Sequence, residues 1–117
     1  MTTLQENTAI TDSVPPHILV MEDDSSVAKG LEMILTEEGY DVNWAGTGEL
    51  ALEAFKQKRY DLLVADLRLP DINGMEVIKK VKEEKPETEV IVITGYGTTS
   101  TAVEAMKIGV HDFLPKP

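Results

Sequence analysis

Short apolar runs and longer amphipathic stretches alternate along this 117-residue chain. The apolar runs are unbroken, a pattern typical of strands that are buried on both faces of a parallel sheet. The clearest of these runs ends abruptly at a carboxylate, Asp66. The pattern predicts strands at 17–21, 41–45, 60–66, 90–93 and 112–114.

Between these strands the sequence predicts helices at 25–38, at 47–58, from the turn at 70–74 to about 84, and at 98–107. Apolar residues three or four positions apart give a helix one inward face. The residues predicted to face inward are Val27, Leu31, Ile34 and Leu35 in the first helix, Ala51, Ala54 and Phe55 in the second, and Ala102, Val103 and Met106 in the last. Thr47 can cap the second helix, and Gly39 and Gly109 can end the first and last helices.

Regular alternation of strands and helices predicts an α/β fold, a doubly wound five-stranded parallel sheet with helices on both faces. Residues 1–16 have the composition of a flexible polar tail and lack the basic and apolar segments of a secretory signal. Residues 17–117 form one domain, which ends directly after the fifth strand. The helix expected to cover one side of the sheet is missing, so we expect a truncated piece of a longer protein with exposed apolar sheet surface.

The amino-acid composition excludes several classes of protein function. With 42% hydrophobic residues the chain is globular, and its formal net charge of −10 argues against direct contact with nucleic acid. The sequence contains no cysteine, which rules out disulfides and thiolate metal sites and is compatible with a cytoplasmic location. No stretch approaches the roughly 18–20 apolar residues of a membrane span.

Residues that could take part in catalysis or metal binding follow the predicted strands at their carboxyl ends, which share one edge of a parallel sheet. They are Glu22, Asp23 and Asp24 after the first strand, Asp66 after the third, Thr94 after the fourth and Lys116 after the fifth. Converging carboxylates repel one another unless a cation compensates them, and Mg²⁺ prefers such oxygen ligands. With an ammonium and a hydroxyl beside them, this edge suits a phosphoryl group that a carboxylate oxygen attacks.

Each of these residues also has an ordinary structural explanation. The acids at 22–24 could cap the first helix, which is their commoner role when taken alone. Asp66 could be a solvated loop acid, Thr94 could bond the local backbone, and Lys116 could be a surface lysine. Their joint occurrence in this order at the strand ends favours the phosphoryl site.

The motifs around these residues resemble those of one family, the receiver domain of two-component response regulators. The matching segments are ILVMEDD at 18–24, DLRLP at 66–70 with Gly74, VITG at 92–95 and FLPKP at 113–117. The resemblance covers residues 17–117 and implies a flavodoxin-like three-layer sandwich with strand order 2-1-3-4-5. It implies that Asp66 accepts a phosphoryl group from a histidine kinase.

The resemblance also implies roles for the other site residues. Mg²⁺ would be held by Glu22, Asp23, Asp66 and the backbone carbonyl of Arg68. Thr94 and Lys116 would contact the acyl phosphate, and Phe113 would be the switch aromatic. The chain departs from the family in having Glu22 where Asp is commoner and Phe113 where Tyr is commoner. His17 and His111 lie away from these motifs and are interpreted as structural.

Phosphorylation of Asp66 is expected to draw Thr94 and Lys116 inward and to change the surface of the fourth helix and fifth strand. The resemblance thus implies a signalling switch rather than an enzyme, working with a sensor histidine kinase and a downstream output domain. The stretches 94–97 and 102–109 look most like receivers of NtrC-type transcriptional activators. The expected output is therefore transcription regulation through a DNA-binding domain. Whether an ATPase domain accompanies it, and whether the chain forms a homodimer, are left open.

Other classes are less well supported by the residues. An aspartate-nucleophile phosphohydrolase would carry its nucleophile after the first strand with a second Asp two residues later, a pattern that Glu22-Asp23-Asp24 lacks. An interaction module of the same fold that works without phosphorylation would have lost Asp23, Asp66 or Lys116. A flavodoxin needs phosphate-binding donors in the first strand–helix loop, which here is acidic.

Overall fold

The computed structural model describes residues 14–116. Its strands are β1 (His17–Met21), β2 (Asp41–Ala45), β3 (Leu62–Ala65), β4 (Glu89–Thr94) and β5 (Asp112–Pro115). Its helices are α1 (Ser25–Glu37), α2 (Gly48–Gln57), α3 (Gly74–Glu84) and α4 (Thr99–Lys107). The elements alternate as the sequence predicted, while most of the predicted tail at 1–16 lies outside the described residues.

All strand pairs are parallel, and the sheet order is β2-β1-β3-β4-β5. The predicted α/β fold and its 2-1-3-4-5 order are therefore confirmed. In the register, Val20 of β1 lies between Trp44 of β2 and Val64 of β3. The strand order reverses between β1 and β3, and this reversal opens a crevice at the carboxyl edge of the sheet.

Helices lie on both faces of the sheet, which makes three layers, although one face carries α1 alone among the described residues. On one face, α1 packs Ala28 against Ile18, Val20 and Val64. On the other face, α2, α3 and α4 enclose the larger core, whose buried members include Leu19, Phe55, Leu63, Ile78, Val90 and Ala105. Alternate residues of β1 thus point to opposite faces, as the geometry of a strand requires.

The predicted inward faces of α1 and α4 need correction. Ile34 in α1 is 61% exposed, and in α4 the side chains of Val103 and Met106 are 49% and 51% exposed. The buried residue of α4 is Ala105, with Ala102 partly buried beside it. The prediction for α4 gave most weight to its large apolar side chains. The residues that α4 buries are small, so the predicted inward face was on the wrong side of the helix.

The strand and helix ends follow local rules. The third strand is shorter than predicted, so Asp66 comes directly after it. Thr47 caps α2 by accepting a hydrogen bond from the backbone N–H of Leu50 at 3.1 Å, as predicted. Gly39 and Gly109 follow the ends of α1 and α4 with φ angles of +97° and +98°, which favour glycine. Among residues 14–116, no helix is both long and apolar enough to cross a membrane.

Candidate functional site at the carboxyl edge of the sheet

The carboxyl ends of β1, β3, β4 and β5 bring four of the predicted residues to one edge of the sheet. Glu22 and Asp66 are each 3% exposed, and Thr94 is 1% exposed. The ammonium of Lys116 reaches these residues from the segment that follows β5. Since isolated charges are costly to bury, two buried carboxylates beside one cation indicate a functional site rather than ordinary packing.

Three acidic side chains form a cluster there. Glu22, Asp23 and Asp66 each offer a carboxylate oxygen, and these oxygens all lie within 4.8 Å of one another. All the donors are carboxylate oxygens, the hard ligands that Mg²⁺ prefers. The chemistry and convergence of this donor set fit a divalent cation such as Mg²⁺.

Asp24 is separate from this cluster, although it is adjacent in sequence. Its carboxylate accepts hydrogen bonds from the backbone N–H groups of Ser26 at 2.9 Å and Val27 at 3.3 Å. It is therefore the N-cap of α1. The ordinary capping explanation is correct for Asp24, whereas Glu22 and Asp23 lie in the acidic cluster.

Lys116 bridges the two buried acids. Its Nζ lies 2.7 Å from Glu22 Oε1 and 3.0 Å from Asp66 Oδ2. The second contact is also a hydrogen bond that spans fifty positions of sequence. One ammonium therefore neutralises part of the charge that two carboxylates bring to the same crevice.

The protonation equilibria reflect this arrangement. Burial and the neighbouring charge of Asp66 together raise the pKa of the Glu22 carboxyl more than its contacts with Lys116 and the Asp24 N–H lower it. Burial also acts to raise the pKa of Asp66, but hydrogen bonds from Thr94 and Lys116 outweigh it, so the pKa of Asp66 is lowered. For Lys116, burial acts to lower the pKa, yet the contacts with both acids raise it. Asp66 is thus kept ionised, as a nucleophilic carboxylate must be.

Backbone contacts hold Asp66 in place. Its backbone N–H donates to the Met21 carbonyl at 2.9 Å, and its Oδ1 accepts from the N–H of Leu67 at 2.7 Å. Gly74, at the start of α3, packs directly against this segment. A Cβ at Gly74 would collide with the carbonyl oxygen of Asp66 and lie 2.6 Å from Leu67 Cα. The turn after Asp66 therefore requires glycine at this position because the two backbones touch.

Phe113 and Arg68 lie around the rim of the site. The half-buried ring of Phe113 packs so closely on Gly97 that a Cβ there would lie 2.6 Å from Cε1 of the ring and 3.5 Å from Cγ2 of Thr94. The guanidinium of Arg68 lies over the ring of Tyr96, 4.4 Å from its centroid. Phe113 thus contacts the loop that follows β4.

Two residues near the site were missed by the sequence reasoning. The carboxylate of Asp71 accepts hydrogen bonds from the backbone N–H groups of Gly48 and Glu49, both at 2.9 Å. The indole Nε1 of Trp44 donates to the backbone carbonyl of Glu22 at 2.6 Å. Both contacts join segments that are more than twenty positions apart, so no local pattern reveals them.

His17 and His111 lie away from the carboxyl edge. His17 opens β1 and lies 3.0 Å from Asp41, while His111 precedes β5 and lies 3.9 Å from Glu89. These positions are at the opposite, amino edge of the sheet. The two histidines pair with neighbouring acids there.

The chain belongs to the response regulator receiver domain family, whose family model matches residues 18–117. Among curated relatives, the regulatory protein LuxO of Vibrio cholerae is 44% identical over 98 residues, which cover 84% of this chain and 22% of LuxO. The transcriptional regulatory protein ZraR of Klebsiella oxytoca is 40% identical over 100 residues, covering 86% of this chain and 23% of ZraR. The chain spans less than a quarter of the length of these relatives.

Solved receiver structures are similar to this fold. The receiver domain of a LuxO repressor protein from Vibrio parahaemolyticus matches with a TM-score of 0.84 and 32% identity, over 89% of this chain and 80% of that one. TrrA of Thermotoga maritima in complex with Mg²⁺ and BeF matches with a TM-score of 0.78 and 29% identity, over 87% of each chain. A Burkholderia pseudomallei response regulator with a phosphorylated aspartic acid and a calcium ion matches with a TM-score of 0.82 and 30% identity. This match covers 87% of this chain and 60% of that one.

Proposed function

We propose that this chain is a phosphorylation-activated switch in which Asp66 accepts a phosphoryl group from a histidine kinase. The observation that carries the proposal is the buried, ionised carboxylate of Asp66, with the ammonium of Lys116 at 3.0 Å and two further acids beside it. Receiver domains act in signalling rather than as metabolic enzymes. The chain would promote only its own phosphorylation and dephosphorylation.

In the proposed transfer, an oxygen of Asp66 attacks phosphorus while the P–N bond to the kinase's histidine breaks. The imidazole nitrogen keeps the electron pair of that bond, and an acyl phosphate forms on Asp66. Lys116 would donate to an oxygen of the phosphoryl group after releasing its present contact with Asp66. The hydroxyl of Thr94 would donate to another of these oxygens, stabilising their charge.

For the metal, we propose Glu22, Asp23, Asp66 and the backbone carbonyl of Arg68 as protein ligands. Bound Mg²⁺ would neutralise part of the phosphoryl charge. The acidic cluster supports this assignment, as do the solved relatives described with Mg²⁺ and BeF or with Ca²⁺ and a phosphorylated aspartic acid. Because Glu22 already pairs closely with Lys116, we propose that Glu22 contributes less than Asp23 to direct coordination of the metal.

The proposed output is a change in the surface formed by α4 and β5. Movement of Thr94 toward a phosphoryl group would open space beside Gly97, where the ring of Phe113 packs. That surface presents exposed apolar side chains, namely Val103, Met106 and Leu114. A two-state loop would thus convert charge at Asp66 into a different docking surface.

The partners we propose are a sensor histidine kinase and an output domain in the same regulator. LuxO and ZraR are named as regulatory proteins, and this chain matches less than a quarter of each of them. We propose that residues 17–117 are the receiver part of a transcription regulator whose output domain binds DNA, with an ATPase domain and a homodimer as further options. The cytoplasmic location that we propose rests on the family alone.

The test is treatment of the chain with acetyl phosphate, with and without Mg²⁺, read by intact mass. Asp66 should take one phosphoryl group as acetate leaves, only with Mg²⁺, and Asp66→Asn should take none. The matched control is Asp41→Asn, which changes an exposed acid at the amino end of β2, away from the acidic cluster, and should be modified like the wild type. An adduct on folded Asp66→Asn, or none on the folded wild type, would overturn the proposed function.

A further inference from the structure

Trp44 is the single tryptophan of the chain and lies at the carboxyl end of the edge strand β2. Its side chain is 49% exposed, which is unusual for so large an apolar ring. The ring nevertheless has one specific bond, since its Nε1 donates to the backbone carbonyl of Glu22 at 2.6 Å. The position of this bond, beside the acidic cluster, indicates a role beyond packing.

The carbonyl that Trp44 contacts belongs to the peptide bond between Glu22 and Asp23. Because a peptide unit is planar, a hydrogen bond that holds its oxygen also restricts the positions of the Asp23 nitrogen and Cα. The N–H of Glu22 is held as well, since it donates to the Ala45 carbonyl at 3.1 Å. The strand β2 therefore anchors the first acid of the loop through both of its backbone polar groups.

Asp23 lies between two anchors. Before it is the peptide bond held by Trp44, and after it is Asp24, whose N–H donates to Glu22 Oε2 at 3.1 Å and whose side chain caps α1. Asp23 itself is exposed, so packing does not orient it. The direction of its carboxylate toward Asp66 depends on the backbone on either side.

We propose that Trp44 is a positioning residue for the metal site, acting through its indole N–H on the Glu22–Asp23 peptide. The inference rests on the proposed function, since it concerns the same acidic cluster. Hydrogen bonds that orient metal ligands raise metal affinity. Because Trp44 bonds to the backbone and not to a ligand carboxylate, we expect its loss to have the effect of losing one ordinary hydrogen bond. The Trp44 side chain is not part of the acidic cluster, and its hydrogen bond goes to the backbone that carries two of the clustered acids.

The test compares the Mg²⁺ affinity of three forms of the 117-residue chain by calorimetry. Trp44→Phe keeps an aromatic ring but lacks the donor, whereas Trp44→Gln lacks the ring but carries an N–H at similar reach. We expect Trp44→Phe to bind Mg²⁺ about fivefold more weakly and Trp44→Gln to bind nearly like the wild type. Circular dichroism and thermal melting establish that each form is folded.

Equal affinity of the wild type and Trp44→Phe would overturn the inference and leave the proposed function intact. Weakening in Trp44→Gln equal to that in Trp44→Phe would also overturn it, since the ring rather than the donor would then matter. If the folded wild type bound no Mg²⁺, the metal part of the proposed function would fail together with the inference.

A second measurement needs no variant. If the indole bond favours Mg²⁺ binding, then Mg²⁺ must favour the indole bond by the same factor. The single indole N–H gives one resolved signal in a proton–nitrogen correlation spectrum, and its exchange with solvent should slow about fivefold when Mg²⁺ saturates the site. An unchanged exchange rate would overturn the inference.

Discussion

The ammonium of Lys116 lies 2.7 Å from a carboxylate oxygen of Glu22, and this pair closes the acidic crevice on the β5 side. The same ammonium contacts Asp66, so one cation serves two buried acids. The charge balance of the site therefore depends on Lys116 more than on any other described basic residue.

Replacing this cation should destabilise the chain. We expect Lys116→Met to lower the free energy of unfolding by about 1–3 kcal/mol at pH 7, because two buried carboxylates would lose their shared partner. Urea unfolding with a metal chelator present measures the change. The double variant Lys116→Met with Glu22→Gln should recover part of the loss, since it removes one of the stranded charges. A wild-type unfolding midpoint for the single variant would contradict the prediction.

Gly74 should tolerate no side chain. We expect Gly74→Ala to cost about 2–3 kcal/mol, because its Cβ would meet the backbone of Asp66 and Leu67 rather than a movable side chain. The matched control is Gly30→Ala within α1, where a Cβ meets nothing within 4 Å. That control should stabilise the chain by about 0.5–1 kcal/mol, since alanine favours the helix. Similar urea midpoints for the two variants would contradict this contrast.

Asp71 should make stability depend on pH in the acid range. Hydrogen bonds from the backbone N–H groups of Glu49 and Gly48 lower the pKa of Asp71 below its ordinary value of 3.8. A group whose pKa is lowered in the folded state contributes stability above its unfolded pKa. This contribution is lost as the pH falls through the folded pKa. The wild type should therefore be more stable than Asp71→Asn at pH 7, with the difference shrinking below 3.8.

Unfolding of both forms across this range measures the difference, and an NMR titration of the Asp71 carboxyl measures its pKa directly. A stability difference that stays constant from neutral to acid pH would show that the two backbone bonds do not distinguish the ionised from the neutral carboxyl.

The exposed side of α4 should tolerate polar substitution. We expect Met106→Gln to change the free energy of unfolding by less than about 0.5 kcal/mol, because half of the Met106 side chain is already in water. By contrast, Ala105→Leu should cost about 1–3 kcal/mol, since Ala105 is fully buried and three extra carbon atoms would have to enter a close-packed core. If Met106→Gln lowered the melting temperature more than Ala105→Leu, the inward face predicted from periodicity would be correct after all.

Much of the fold could be predicted from the sequence because its signals are local. Unbroken apolar runs indicated the strands, and Thr47, Gly39 and Gly109 indicated helix ends through rules that need only a few neighbours. The orientation of α4 was predicted wrongly, since a helix with apolar residues on two sides is turned by whatever packs against it. Ala105 is buried there as a member of the larger core, whereas Val103 and Met106 of the same helix are exposed.

The sequence by itself determined the order of the elements and, through the family motifs, the residues Asp66, Thr94 and Lys116 that meet at the sheet edge. Only the tertiary structure decided that Asp24 caps α1 instead of joining the acidic cluster, that Trp44 bonds to the Glu22 carbonyl, and that Asp71 bonds to the first N–H groups of α2. The physical reason is that helix and strand signals arise between near neighbours, whereas a hydrogen bond between Trp44 and Glu22 exists only after two strands have paired.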